Sequence, residues 1–171
     1  KMNAHNRLVE ILRARSVRRQ KVILASGKES DFYVDARRTT LHAEGAALIS
    51  QLILERLGPD IDGVGGPGTG ADPITGAVIS EAWRQGRTLE GFMVRKEPKG
   101  HGLKLWVEGR DNLEEGNTVC LLEDTVTTGG SLVRAALRVR ESGLKVSRCI
   151  VVVDREEGAK EKLAELIRGV Q

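Results

Sequence analysis

The sequence predicts a single α/β domain over residues 1–171, built on a central, mostly parallel sheet flanked by helices. From residue 61 onward, short apolar segments alternate with segments that have helical spacing. The two best strand candidates, 118–124 and 145–154, contain the apolar runs Val-Cys-Leu-Leu and Cys-Ile-Val-Val-Val. Such runs are typical of parallel strands covered on both faces. A chain of 171 residues is also long enough to bury a substantial core.

The first forty residues do not follow this alternation. A helix is predicted at 3–13, because apolar residues recur there on one helical face. Two short strands are predicted at 22–25 and 32–36, around a Ser-Gly-Lys turn. We interpret this part of the chain as a small hood over the site that the main sheet carries.

The remaining elements are each bounded by glycine, proline or polar turns. Helices are predicted at 43–57, 72–85, 131–142 and 156–167. Strands are predicted at 61–65, 90–95, 105–108, 118–124 and 145–154. The segment 96–104 is polar and contains proline and glycine, so it is predicted to be a mobile loop.

Four polar segments follow predicted strands of the sheet, at 65–70, 95–101, 123–131 and 154–157. Ligands of parallel α/β sheets bind at the carboxyl ends of the strands. The four segments are therefore expected to form one site.

An apolar strand, two acids and a hydroxyl-rich turn make up the most informative segment, Val-Cys-Leu-Leu-Glu-Asp-Thr-Val-Thr-Thr-Gly-Gly-Ser, which ends at Ser131. Hydroxyls from Thr127 and Thr128, with backbone amides at a helix N-terminus, favour a phosphate monoester. Glu123 and Asp124 stand where they can accept hydrogen bonds from sugar hydroxyls or approach a metal-bound substrate. Acids and glycines after a strand often only cap the next helix, but the strand–turn–helix context favours phosphate binding.

Four basic side chains fall within seven residues of the predicted loop, namely Arg95, Lys96, Lys99 and His101. Such a cluster alone would indicate a solvated hairpin. Beside a phosphate-binding turn, it can neutralise a departing pyrophosphate, and a mobile cover can exclude water. The glycine-rich turn at 65–70 is either a simple tight turn or a second anion site.

Arg155 follows the last apolar strand, where its planar guanidinium can bind a carboxylate through two hydrogen bonds. The preceding Asp154 is either part of that site or a cap of the final helix.

Composition limits the remaining possibilities. The net charge of +3 and the low aromatic content of 3% do not argue for nucleic acid as a partner. Cys120 and Cys149 lie in apolar strands without CxxC spacing, which indicates a reducing compartment and no metal site. No secretory signal or span of about 18 apolar residues is present, so a cytoplasmic protein without membrane contact is expected.

Together these segments resemble the orotate phosphoribosyltransferases, a family of type I phosphoribosyltransferases. The resemblance covers nearly the whole chain in family order, through the motifs at 26–37, 66–73, 95–102, 123–131 and 154–158. The segment with two acids specifies only the superfamily. The hood, the Lys-x-x-Lys-x-His-Gly loop and the Asp-Arg-Glu-Glu-Gly ending single out the orotate family.

The resemblance implies a type I phosphoribosyltransferase fold whose N-terminal hood also receives the C-terminal segment. It implies that orotate and phosphoribosyl pyrophosphate (PRPP) give orotidine 5'-monophosphate and pyrophosphate in de novo pyrimidine (UMP) biosynthesis. Mg²⁺ is implied as the cofactor, held mainly through PRPP with no direct protein ligand. A homodimer whose mobile loop reaches the neighbouring site is implied as well.

Roles for individual residues come only from this resemblance. PRPP is expected to contact Arg95, Lys96, Lys99, His101, Glu123, Asp124, Thr125, Val126, Thr127, Thr128, Gly129, Gly130 and Ser131. The catalytic candidates are Lys99, His101 and Asp124. Orotate is expected at Thr127 and Arg155, with Arg155 binding its carboxylate. Lys28 and Tyr33 are the hood candidates; some members have a lysine directly before the Ser-Gly of the hood, where this chain has Ala25.

Three other interpretations stay open. The first is a phosphoribosyltransferase for a purine or for uracil, which would not need an arginine for a substrate carboxylate. A regulator that binds RNA or DNA with this fold would be expected to lack the loop lysine or to show a strongly basic face. The third is one half of a fused enzyme. Since the sequence shows no second domain, orotidylate decarboxylation, if it is coupled, is expected to come from a separate protein.

Overall fold

A computed structural model describes residues 3–24, 26–100, 105–167 and 169–170. Ala25 and His101, both named above, lie outside the described residues. The described chain forms a two-stranded sheet near the N-terminus and a six-stranded sheet that carries the remaining strands.

The N-terminal part contains helix α1 (Ala4–Arg15), strands β1 (Val17–Ile23) and β2 (Glu29–Val34), and the short helix α2 (Arg37–Thr40). The side chain of Asn3 caps α1 by accepting a hydrogen bond from the Asn6 amide at 2.8 Å. The two strands pair antiparallel as a hairpin. The predicted helix and hairpin are confirmed. Strand β1 begins earlier than predicted, since residues 18–21 are polar and exposed and gave no apolar strand signal.

The main part of the chain alternates strands and helices, as predicted. The elements are α3 (Ala43–Arg56), β3 (Gly63–Pro67), α4 (Gly68–Arg84), β4 (Glu90–Lys99), β5 (Leu105–Glu108), a 3₁₀ turn (Arg110–Asn112), β6 (Thr118–Val126), α5 (Gly130–Glu141), β7 (Lys145–Asp154), α6 (Ala159–Ala164) and β8 (Gly169–Val170). The strand order is β5-β4-β3-β6-β7-β8, and every pair except β4–β5 is parallel. The predicted α/β fold with a mostly parallel sheet is confirmed.

Two apolar clusters cover the two faces of this sheet. Strand β6 supplies both, because successive side chains of a strand point to opposite faces. Leu121 joins Leu132 and Leu163 in the cluster beside α5 and α6. Leu122 joins Ile49 and other residues of the cluster beside α3 and α4. This two-sided burial explains why the sequence of β6 is an apolar run and does not alternate.

Three of the five residues of the middle strand β3 are glycines. A Cβ on Gly65 would overlap the Phe92 carbonyl oxygen, and a Cβ on Gly66 would overlap that of Leu122. The neighbouring strands therefore approach β3 more closely than any larger residue would permit.

Several boundaries differ from the predictions. Residues 96–99 were expected in a loop, but they continue β4, and Lys99 pairs with Leu105 across the hairpin. Pro98 is compatible with this position because β4 is paired there only with β5. A strand with one free edge tolerates the missing N–H of proline. Helix α4 begins at Gly68, four residues before the prediction, because its first turn is formed by residues that were assigned to the glycine-rich turn.

The last predicted helix is shorter than expected, because the backbone turns sharply before Ala159. Strand β8 pairs with β7, so the described C-terminal residues join the main sheet. Among the described residues, no helix combines the length and apolarity that a bilayer crossing needs.

Candidate active site

A cavity of about 840 Å³ opens at the carboxyl ends of β3, β4 and β6, where the end of β2 and the residues after it form one wall. Seven of the residues predicted for the site line this cavity, namely Tyr33, Arg95, Lys96, Glu123, Asp124, Thr125 and Ser131. The glycine-rich turn contributes Pro67, Thr69 and Gly70. Segments far apart in the sequence thus meet at one edge of the sheet, as parallel strands require.

Two carboxylates form the floor of the cavity at the end of β6. Glu123 is only 8% exposed, and its Oε1 accepts the Asp124 amide at 3.1 Å. Asp124 Oδ1 accepts the Thr125 amide at 2.7 Å. Burial raises the pKa of Glu123 to about 8, and the neighbouring charges of Asp124 and Asp72 act in the same direction. The pair can therefore accept hydrogen bonds from hydroxyls while holding less than two full charges.

The turn after β6 leads into α5 through Gly129, which has a φ of 84°. The N-cap residue of this helix is a glycine and has no side chain to accept a hydrogen bond, so the amides of the first turn are available to an anion. Ser131 and Thr125 face the cavity, whereas the side chain of Val126 is buried in the core. Val126 can therefore contribute only backbone groups to ligand binding.

The β4–β5 hairpin places two of the predicted cations on the cavity wall. Arg95 pairs with Glu108 across the strands, with 3.1 Å between Nη1 and Oε1, and Lys96 follows it. Lys99 is exposed at the far end of β4 and does not line the cavity. The hairpin thus carries both wall residues and a more distant lysine.

Arg155 links the end of β7 to the hood. Its backbone amide donates to the Val126 carbonyl at 2.9 Å, which places it beside the turn that contains Thr127. Its Nη2 donates to Ser30 Oγ at 3.1 Å and to the Phe32 carbonyl oxygen at 3.3 Å. Neither Arg155 nor Thr127, the two residues expected to bind orotate, is among the residues that line the cavity.

The turn after Arg155 is fixed by a side chain. Asp154 Oδ1 accepts the Glu156 amide at 2.8 Å, and Glu156 has a φ of 56°. The N-cap of α6 is Gly158, so Asp154 holds this turn and does not cap the final helix. Of the two hood candidates, Tyr33 lines the cavity, whereas Lys28 lies at the exposed hairpin turn.

Several wall residues were not predicted from the sequence, and Trp106, Arg134 and Arg138 are among them. Arg134 Nη2 donates to Ser131 Oγ at 3.3 Å, and the Arg138 guanidinium lies 3.8 Å from the Trp106 ring centroid. The two arginines are four positions apart on α5 and hence on one helical face. The i, i+4 spacing of the two arginines, directly after the predicted phosphate-binding turn, was the sequence signal that could have identified them.

The donor set of the site bears on metal binding. Within the described ranges, no group of three or more histidine, cysteine, aspartate or glutamate side chains is arranged to hold a metal ion. The oxygen donors that are present, Glu123 and Asp124, suit a hard cation that also binds substrate phosphates.

Comparisons with known proteins agree with this geometry. The family model described as the phosphoribosyl transferase domain matches residues 37–171. The chain is 45% identical over 161 residues to a protein named orotate phosphoribosyltransferase from Rhodopseudomonas palustris (strain BisB18), covering 92% of this chain and 86% of that protein.

Two solved structures of the Mycobacterium tuberculosis H37Rv orotate phosphoribosyltransferase are also similar. The complex with Fe(III) dicitrate matches with a TM-score of 0.83 and 39% identity, covering 98% of this chain and 94% of that one. The complex with 5-phospho-alpha-D-ribosyl 1-diphosphate (PRPP) matches with a TM-score of 0.78 and 37% identity at the same coverages.

Proposed function

This chain belongs to the orotate phosphoribosyltransferase family, and on that premise we propose that it converts orotate and PRPP to orotidine 5'-monophosphate and pyrophosphate in pyrimidine biosynthesis. The observation that carries the proposal is that the acid pair and the N-terminus of α5 lie at one edge of the sheet, with Arg155 hydrogen-bonded to the turn between them. These groups match the ribose, the 5'-phosphate and a base carboxylate of the two substrates.

The sugar phosphate is proposed to lie over the end of β6. Glu123 and Asp124 accept hydrogen bonds from the ribose hydroxyls, because both carboxylates face the cavity. The turn that follows and the first turn of α5 receive the 5'-phosphate through backbone amides and hydroxyls. The residues assigned to this part are Thr125, Val126, Thr127, Thr128, Gly129, Gly130 and Ser131.

The reaction is proposed as a displacement at the anomeric carbon. A pyrimidine ring nitrogen forms the new C–N bond as the bond to pyrophosphate breaks, with inversion, and the ring N–H proton is lost. Positive charge develops on the sugar ring and negative charge on the leaving group. Arg95 and Lys96 on the cavity wall stabilise the departing pyrophosphate, since fixed cations are most effective where charge develops.

Lys99 and His101 are proposed to act from the hairpin end. Lys99 is exposed and does not line the cavity, so its action requires closure of the hairpin over a site. We propose that this site is the neighbour's, in a homodimer with shared active sites. The exposed position of Lys99 supports a role toward a second copy.

Orotate is proposed to bind between the phosphate turn and the hood. Arg155 binds its carboxylate, and Thr127 contacts the ring. The hydrogen bond from the Arg155 amide to the Val126 carbonyl, beside Thr127, supports this pairing. Tyr33 contributes from the hood. A base without a carboxylate would leave the Arg155 charge unpaired, which disfavours uracil and purines.

Mg²⁺ is the proposed cofactor. It would arrive mainly with the pyrophosphate of PRPP, near Glu123 and Asp124, and would neutralise phosphate charge there. The whole chain is proposed to act as one domain with its hood. Two buried thiols without a disulfide, Cys120 and Cys149, support the reducing cytoplasm as its compartment.

The proposal is tested by the fall in ultraviolet absorbance of orotate in the presence of PRPP and Mg²⁺. Uracil, hypoxanthine and adenine are assayed in parallel. Turnover of orotate alone is the expected result. Turnover of another base in preference to orotate would contradict the assigned substrate. PRPP binding without turnover of any base would favour the regulator interpretation.

A further inference from the structure

The hood and the main sheet meet at the guanidinium of Arg155. This residue follows β7, whereas Ser30 and Phe32 lie on β2, and 125 positions separate Arg155 from Ser30. Three contacts converge on one side chain. Nη2 donates to Ser30 Oγ at 3.1 Å and to the Phe32 carbonyl at 3.3 Å, and Cζ lies 4.4 Å from the Phe32 ring centroid.

Ser30 and Phe32, which accept the hydrogen bonds from Arg155, are also hydrogen-bonded to each other. Ser30 Oγ donates to the Phe32 carbonyl at 3.1 Å and accepts the Phe32 amide at 3.4 Å. A hydroxyl has one proton and two lone pairs. With its proton directed to Phe32, the serine oxygen presents a lone pair to Arg155. The arginine therefore meets an acceptor whose orientation is already fixed by its own strand.

The backbone of Arg155 is also fixed, because its N–H donates a hydrogen bond to the Val126 carbonyl. Both of its side-chain hydrogen bonds within the described part of the chain leave through Nη2. Its Nη1 and Nε groups thus remain for a ligand, and each can donate a charge-assisted hydrogen bond to a carboxylate oxygen. Holding a long side chain in place before binding reduces the entropy that binding must remove.

We infer that Ser30 and Phe32 are positioning residues, which hold the Arg155 guanidinium ready for the carboxylate of the base. The hood hairpin is then part of the selectivity for a carboxylated pyrimidine, and not only a cover. This inference rests on the proposed function, because it assumes that Arg155 binds that carboxylate.

The test compares variants of the two positioning residues. Ser30→Ala and Phe32→Leu should each raise the KM for orotate about tenfold, the effect of losing one oriented interaction. The KM for PRPP and the kcat should change less than about twofold. Ser30→Thr and Phe32→Tyr should keep near-normal values, since they retain the hydroxyl and the ring. Ile23→Ala truncates an exposed apolar residue on the same hairpin and serves as the control.

A double variant separates positioning from a general effect on the hood. In an Arg155→Ala background, Ser30→Ala should have no further effect on the KM for orotate, because the group that it positions is absent. An additive effect would overturn the inference. Equal increases in both Michaelis constants in Ser30→Ala and Phe32→Leu would overturn it as well.

The outcomes also separate this inference from the proposed function. If the unmodified protein does not turn over orotate, the proposed function fails. If it does, and Arg155→Ala raises the KM for orotate while Ser30→Ala and Phe32→Leu do not, only the positioning role fails. Thermal unfolding of each variant identifies loss of folding, and the threonine and tyrosine variants then carry the test.

Discussion

Gly70 lies directly against Glu123, so that a Cβ on this glycine would stand 2.6 Å from the Glu123 Oε1 atom and equally far from Asp124 Oδ1. The first turn of α4 therefore rests on the acid pair of the site. The absence of a side chain at this position is what lets the two carboxylates keep their places beside the glycine-rich turn.

Gly70→Ala is expected to displace the acid pair. It should raise the KM for PRPP at least about tenfold and lower the free energy of unfolding by about 1–3 kcal/mol, as overpacking does. Steady-state kinetics and urea unfolding measure the two effects.

Gly76→Ala is the matched control, because it lies in the same helix and has open space around its Cβ position. This variant should gain about 0.5–1 kcal/mol of stability and keep its kinetics, since alanine favours helix. Normal PRPP kinetics in Gly70→Ala would show that the close approach has no functional role.

The raised pKa of Glu123 predicts a specific pH dependence of stability. In the folded protein this group keeps its proton up to about pH 8, whereas its ordinary value is 4.5. Between these values the folded state binds more protons than the unfolded state. The contribution of Glu123 to the free energy of unfolding therefore falls as pH rises. Below about pH 4.5 and above about pH 8 the contribution is constant.

Glu123→Gln should therefore become more stable relative to the unmodified protein as pH increases from 5 to 8, measured by urea unfolding. Glu55→Gln, at an exposed position on α3, is the control. Parallel pH profiles for the protein and Glu123→Gln would refute the raised pKa.

Lys99→Ala is expected to lower kcat by about 10²–10³-fold while PRPP still binds, because the lysine is assigned to the charge that develops on the leaving group. Single-turnover kinetics at saturating substrates measure the loss. Lys145→Ala is the control, because Lys145 is an exposed lysine at the start of β7, whereas the site lies at the carboxyl ends of the strands. Unchanged turnover in Lys99→Ala would remove this residue from the mechanism.

Trp106 offers a direct measure of PRPP binding. The chain has two tryptophans; Trp83 is 73% exposed, whereas Trp106 lies on the cavity wall beneath the Arg138 guanidinium. In a Trp83→Phe background, PRPP should change the emission of Trp106 in a saturable way, because its phosphates compete for the nearby arginines. No change on addition of PRPP, with catalysis intact, would place the phosphates away from this wall.

The fold was largely predictable because its signals are local. The apolar runs of β6 and β7, and the polar turns that end them, define the buried strands. The parallel arrangement then places Glu123, Ser131 and Arg155 at one edge without knowledge of any contact. These parts of the site follow from sequence order alone.

Other features depend on contacts between distant segments and left no local signal. The extension of β4 to Lys99 is determined by pairing with β5, against the loop preference of its charges and proline. The hydrogen bond between the side chains of Arg155 and Ser30 joins residues 125 positions apart. Trp106 reaches the cavity only because β5 lies beside α5, and neither segment indicates the other.

The glycines of β3 have a further consequence for reading variation in this protein. Gly65 and Gly66 leave no space for any side chain, since the carbonyl oxygens of Phe92 and Leu122 occupy it. In a saturation mutagenesis library, both positions should be as intolerant of change as the substrate-binding residues. Intolerance at these two glycines would report the spacing of the strands, and only at Gly70, where the neighbours are the carboxylates of Glu123 and Asp124, would it report the chemistry of the site.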